Sequence, residues 1–207
     1  MSFFKSIWFR CISCLLAIAL ISGGLLTILS NLLYVSPEER TSRAMAKIYG
    51  APVEVSAENI IVDIDSDDAS KSSPITSNYG ELQKIYKVNV NGESFDMVFQ
   101  AQGNNGYKGG TITLWVKVVF ENNVPIKIDK VILQSSDKQT LMSKIGGDFY
   151  NRFTLDDVTE DYKNGKVFTG NQKDTANILN PVSGATYSAN AGNNAVNCVI
   201  DYCWGTN

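Results

Sequence analysis

The sequence predicts an α+β protein, with an N-terminal transmembrane helix followed by an antiparallel-sheet domain with flanking helices. Three observations predict it. Residues 11–34 carry no formal charge, and at about 1.5 Å per residue a helix of that length reaches roughly 36 Å, enough to cross a bilayer. Strand-like runs 86–90 and 94–100 flank Asn91-Gly92, and runs 111–120 and 125–133 flank Glu121-Asn122-Asn123, two hairpin signals in succession. Residues 189–204 place Ala195, Val199 and Cys203 on one helical stripe, with Val196 and Ile200 beside it.

The anchor comes first. Trp8 and Phe9 stand at one end of the apolar run and Tyr34 at the other, as an aromatic belt would, and Lys5 and Arg10 precede it. A secretory signal peptide would have a shorter apolar core and a small-x-small site near its end, so the expectation is an uncleaved signal anchor. Lys5 and Arg10 on one side face Arg40, Arg43 and Lys47 on the other, so the charge count leaves the orientation open. Ser36-Pro37-Glu38-Glu39 then combines a serine N-cap, proline at the first helical position and glutamate three residues after the cap. That pattern predicts a helix to about Tyr49, with Ala44, Met45 and Ile48 turned toward the domain and Gly50 as its stop. The expected organisation is an anchor over residues 1–35, a juxtamembrane helix over 36–50 and the main domain over 51–207.

Within that domain, residues 53–64 read as a first strand region open to interruption. Asp63, Asp65, Asp67 and Asp68 resemble the opening of a calcium loop, but Asp68 stands where the loop needs glycine and Pro74 where it needs a bidentate glutamate. The expectation is a solvated loop, and the Ser-rich stretch 66–78 is expected to be the segment most prone to disorder. A glycine-rich connection, Gly103-Asn104-Asn105-Gly106-Tyr107-Lys108-Gly109-Gly110, joins the two hairpins. Over residues 138–153, Leu141, Ile145, Phe149 and Phe153 recur at spacings of four, one core-facing side of a helix bent near Gly146-Gly147.

Composition removes several functions. The net charge of −3 and the dispersed Lys and Arg residues give no basic footprint, so no nucleic-acid partner is expected. Histidine is absent, which excludes a Ser-His-Asp hydrolase and a His-ligated metal enzyme. Cys11 and Cys14 form a C-x-x-C inside the apolar helix, where small lipid-facing residues are the simpler reading than redox or metal chemistry. Cys198 and Cys203 are five apart on a helical pattern, so they point apart and are expected as two separate packed thiols.

The stretch richest in chemistry is Asn180-Pro181-Val182-Ser183-Gly184-Ala185-Thr186, followed by Tyr187-Ser188. It sets a stiff, β-branched hydroxyl on a small-residue turn just ahead of a helix, where backbone N–H groups and the helix dipole favour a phosphate. Gly184 and Ala185 leave room for close approach, and Ser183 and Ser188 add neutral donors. By composition alone, such a Ser/Gly/Thr stretch is far more often just a turn capping a helix.

The Ser-Gly-Ala-Thr run resembles the flavinylation motif of the FMN-binding domain family, shared by flavin-bearing components of the Rnf electron-transport complex and of the sodium-translocating NADH:quinone reductase. The resemblance implies FMN esterified through its phosphate to Thr186, with Ser183, Gly184 and Ala185 shaping the turn; Asn180 stands where the family has Asp. It also implies that Gly106-Tyr107-x-Gly109 is the turn entering the central strand, with Tyr107 near the flavin. The family's Glu-Thr-Pro-Gly-Leu-Gly loop would fall near Leu141, where Asp137 takes the Glu position, Gln139 and Thr140 replace Pro and Gly, and Lys144-Ile145 follows. Asn180, Ser183, Gly184, Ala185, Ser188, Tyr107, Thr140 and Leu141 are thus the cofactor-binding candidates, and Thr186 the attachment site. The likeness covers the anchor and the following domain in order, but only the Ser-Gly-Ala-Thr run is specific.

By the same resemblance the protein is an electron-transfer subunit, not catalytic alone, of an ion-translocating oxidoreductase (translocase) complex. Its partners would be the integral-membrane subunits of an Rnf-type or sodium-translocating quinone-reductase complex, and a flavin transferase would mature it. The short chain leans toward the Rnf-type assembly; a stand-alone extracellular flavin electron carrier is the alternative within the class. The domain would face the outer side of a bacterial cell membrane. From another class, Asn180 and the divergent loop around Leu141 fit an unflavinylated membrane-anchored binding or scaffold module.

Overall fold

The computed structural model describes residues 7–33, 35–139, 148–151, 153–154 and 185–205. The chain forms two compact units, Met1–Thr41 and Ser42–Asn207. In the first, helix α1 (Ile7–Leu33) contains the apolar window Cys11–Ser30, whose side chains are exposed. By length and composition this helix can cross a membrane, and an N-terminal signal sequence would meet the same requirement. Two of its hydroxyls are satisfied within the helix: Ser22 Oγ donates to Ala19 O and Thr27 Oγ1 to Gly23 O. Tyr34, the far end of the expected belt, lies outside the described residues.

Helix α2 (Pro37–Tyr49) begins as its sequence predicts, with the Glu39 N–H donating to Ser36 Oγ at 3.2 Å. It ends at Gly50, which takes a left-handed φ of +75° while its N–H donates to Ala46 O.

The second unit is built on one antiparallel sheet of β1 (Ile60–Asp63), β2 (Ile75–Ser77), β3 (Gly80–Asn91), β4 (Ser94–Gly103), β5 (Ile112–Glu121) and β6 (Val124–Ser136). The order is β1-β3-β4-β5-β6, and β2 pairs with β3 beside β1. Period-two alternation explains why the sheet has two buried faces. Phe95, Met97, Phe99 and Ala101 of β4 and Leu114, Val116 and Val118 of β5 point to one core, while Val98 and Trp115 point to the other. Helix α4 (Thr186–Trp204) covers the first face together with Phe149 and Phe153 at the short helix α3 (Asp148–Asn151). Ala44, Met45 and Ile48 of α2 cover the second, against Tyr86, Val88, Val98 and Trp115.

The second hairpin turns at Asn122-Asn123, both with positive φ, the geometry that matches the twist of the strands. The first does not turn at Asn91-Gly92. Asn91 pairs with Ser94, so Gly92-Glu93 is the loop, and a bulge at Asn89, with φ +52°, absorbs the extra residue. Several boundaries also differ from expectation. The region 53–64 is broken by a 3-10 turn at Ala57–Asn59, leaving only β1 as strand. The Ser-rich stretch contains β2 because the first residues of β3 offer it an unpaired edge. Lys138, with φ +56°, and Gln139 are not helical, and residues 140–147 lie outside the described residues, so only Phe149 and Phe153 of that stripe are seen, both buried.

The acidic run is more than a solvated loop. The ammonium of Lys84, almost fully buried, lies 2.9 Å from Asp63 and 2.7 Å from Asp65, and the Tyr86 hydroxyl also donates to Asp63. Two carboxylates there satisfy a charge that β3 carries inward. On the α2 side, Asp96 accepts from the Tyr49 hydroxyl and from Asn89 Nδ2, and Lys130 donates to the last carbonyls of α2, Lys47 O and Ile48 O. Cys198 and Cys203 are separate free thiols. Burial pushes the Cys198 thiol up to about 11, and Ser77 Oγ donates to its sulfur at 3.3 Å.

Candidate functional site

Helix α4 runs antiparallel to β4. Gly103 meets Ala191 and Ala195, while Phe99 meets Tyr202 further along. The first turn of α4 therefore projects past the end of β4, toward the turn at residues 106–110 and the segment that leaves β6. Asn194 Nδ2 fastens this edge, donating to both Asn104 O and Asn104 Oδ1 at 3.0 Å.

Thr186 is the first residue of α4 and exposed, rather than a residue ahead of a helix starting at Ala189. The helix starts early because Ala189 N–H already reaches Ala185 O at 2.9 Å. Ala185, in the N-cap position, is buried and has no side chain with which to cap the helix. The first N–H groups of an α-helix have no acceptor within the helix, so this end carries directed donors and the positive end of a 19-residue dipole. Asn180, Ser183, Gly184, Thr140 and Leu141 lie outside the described residues.

The residue that organises the site is Gln139. Its Oε1 accepts the Ser188 hydroxyl at 2.7 Å and the Tyr107 N–H at 3.1 Å, and its Nε2 donates to Asp137 O at 2.6 Å. One side chain thus joins the start of α4, the glycine-rich turn and the exit from β6. Gly106 and Gly110 flank it so closely that a Cβ on either would come within 2.6 Å of Nε2. The turn is closed by Gly106 N–H to Gly110 O and Gly110 N–H to Tyr107 O, with Lys108 and Gly109 left-handed. Ser188 therefore serves as a buried tie between elements, and its hydroxyl is not presented outward as a phosphate donor.

Tyr107, 38% exposed, and Tyr187, 62% exposed, approach with ring centroids 6.4 Å apart and planes at 58°. The Lys108 ammonium lies 5.4 Å from the centroid of the Tyr107 ring. The structure thus brings Tyr107, Ala185, Thr186 and Ser188 together, and adds Gln139 and Tyr187. In the sequence, Gln139 stands out only as a departure from the family's loop motif. The pair of glycines spaced four apart was the sole cue that a side chain packs there.

Gln139→Leu is expected to remove the acceptor of two donors. At roughly 1–3 kcal/mol for each donor left buried and unpaired, stability should fall by about 2–6 kcal/mol. Urea unfolding of the full chain in detergent measures it; an unshifted midpoint would mean that Gln139 does not hold these elements together.

Among the described residues no cluster of three or more Cys, Asp or Glu side chains is arranged to hold a metal ion. No protein-family model matches this chain, and no curated protein matches its sequence.

Proposed function

We propose that the protein is a membrane-anchored electron-transfer subunit that carries FMN as a phosphoester on Thr186. The observation that carries this reading is the hydroxyl of Thr186, an exposed residue at the first position of α4, beside a glycine-held turn and two exposed tyrosines. The surroundings fit the group: a dianionic precursor or its phosphodiester product is favoured at a helix N-terminus, where Ala185 in the N-cap position contributes no side-chain hydrogen bond. The Tyr107 and Tyr187 rings offer apolar surface to a planar ring system. FMN would supply the one- and two-electron redox chemistry, and the protein's residues would hold and orient it. On this reading Thr186 is the attachment point, Ala185 gives clearance, and Gln139 with Ser188 keeps the helix start fixed to the glycine turn.

The resemblance of Ser183-Gly184-Ala185-Thr186 supports assignment to an Rnf-type complex, with the sodium-translocating quinone reductase or a stand-alone extracellular carrier as the alternatives. The partners are then integral-membrane subunits of that complex. The test is direct: the chain coexpressed with an FAD-dependent flavin transferase should give a fluorescent band on a denaturing gel, with one FMN per chain by mass. A colourless chain in the presence of an active transferase, proven on a second acceptor, would leave the binding or scaffold reading in its place.

In this proposal α1 is an uncleaved anchor of the bacterial cell membrane and the main domain lies on its outer face. No other described helix is long and apolar enough to return the chain across the bilayer. Protease added to right-side-out spheroplasts should therefore digest the C-terminal domain. Digestion only after lysis would put the domain in the cytoplasm, and a mature N-terminus beyond α1 would make that helix a cleaved signal.

A further inference from the structure

We infer that Tyr107 and Tyr187 together form the platform on which a ring system tethered at Thr186 rests, with Gln139 as the residue that sets Tyr107 in place. The inference rests on the proposed FMN attachment and goes further by naming the surface that receives the isoalloxazine.

Two exposed aromatic side chains on a small domain need a reason to be adjacent. Tyr187 follows Thr186 directly on the first turn of α4, whereas Tyr107 comes from the turn between β4 and β5. Their rings meet at 6.4 Å with planes inclined at 58°, so they form two walls and not a stacked pair, and each keeps exposed surface. The backbone imposes the approach. The Tyr107 N–H is held by Gln139 Oε1, the same oxygen that takes the Ser188 hydroxyl one residue beyond Tyr187. Glycine at 106 and 110 lets the turn close over the amide, and Lys108 in a left-handed conformation directs its ammonium toward the Tyr107 ring. A fixed aromatic corner with a cation at its side suits a planar, electron-accepting ring of the size of a flavin, and its position beside Thr186 suits a ring carried on a short tether.

The platform has an optical consequence separate from electron-transfer activity. A tyrosine in contact with an excited flavin quenches its emission by donating an electron, so the loaded full-length protein in detergent should show a dominant short fluorescence lifetime and slow depolarisation. Tyr107→Leu and Tyr187→Leu should each lengthen the lifetime, and the double variant should lengthen it several-fold and speed depolarisation as the ring loses its support. Tyr107→Phe with Tyr187→Phe separates the two effects: the lifetime lengthens because phenylalanine is a poor donor, while depolarisation stays slow because the apolar walls remain. Flavin attached at full stoichiometry, with lifetime and depolarisation in the double leucine variant equal to those of the unaltered protein, would overturn the platform and leave the attachment standing. Absence of any attached flavin in the unaltered protein would overturn both.

Discussion

Thr186→Ala is expected to abolish covalent flavin altogether, leaving a colourless chain that folds as before. The side chain is exposed at the first position of α4, so its removal opens no cavity in the core. Alanine also has the better intrinsic helix propensity, and stability should stay within about 0.5 kcal/mol. The loss is all-or-none because a phosphoester needs a hydroxyl at that position. The neighbouring Ser188 hydroxyl is buried and committed to Gln139 at 2.7 Å, which leaves it a poor substitute acceptor. Peptide mass spectrometry of the coexpressed variant checks this. Flavin found on the Ser188 peptide, or retained at full level without Thr186, would reject the assignment. A Thr186→Ser variant should keep modification, since the hydroxyl remains.

The second large effect is expected at Gly103, where β4 and α4 come into backbone contact. A Cβ there would sit 1.9 Å from Ala191 O and 2.3 Å from Ala195 N, and neither atom belongs to a side chain that can rotate away. Gly103→Ala must push α4 off the sheet, separating Val196 and Val199 from the β4 and β5 side chains they pack on. Overpacking of this kind costs about 3 kcal/mol. The displaced helix carries Thr186 with it, so flavin loading should fall as well. Gly192→Ala supplies the contrast: its Cβ would stand 3.4 Å from the Phe149 ring, an ordinary contact, and the gain in helix propensity is about 1 kcal/mol. Denaturant midpoints that drop for Gly103→Ala and hold or rise for Gly192→Ala would support this packing. A neutral Gly103→Ala would show that α4 does not lie against Gly103.

Features whose physics is local were legible in the chain before it folded. An uncharged apolar run makes α1, because a helix satisfies its own backbone and nothing in the run interrupts it. Ser36 and Glu39 start α2 through a bond three residues long, and Gly50 ends it with a φ that other residues resist. Alternation along β4 and β5 assigns their side chains to opposite faces before any partner is known. Asn122-Asn123 marks its hairpin because both residues tolerate a left-handed backbone. Features that depend on distant partners emerged only with the packed fold. β2 exists only because β3 presents an edge to a segment that reads as loop. Asp63 and Asp65 are engaged because pairing of β1 with β3 brings Lys84 beside them. Gln139 gathers the site across sequence separations of 32 and 49 residues, and no local pattern encodes that role, since an amide shows its value only when two donors arrive from elsewhere in the fold.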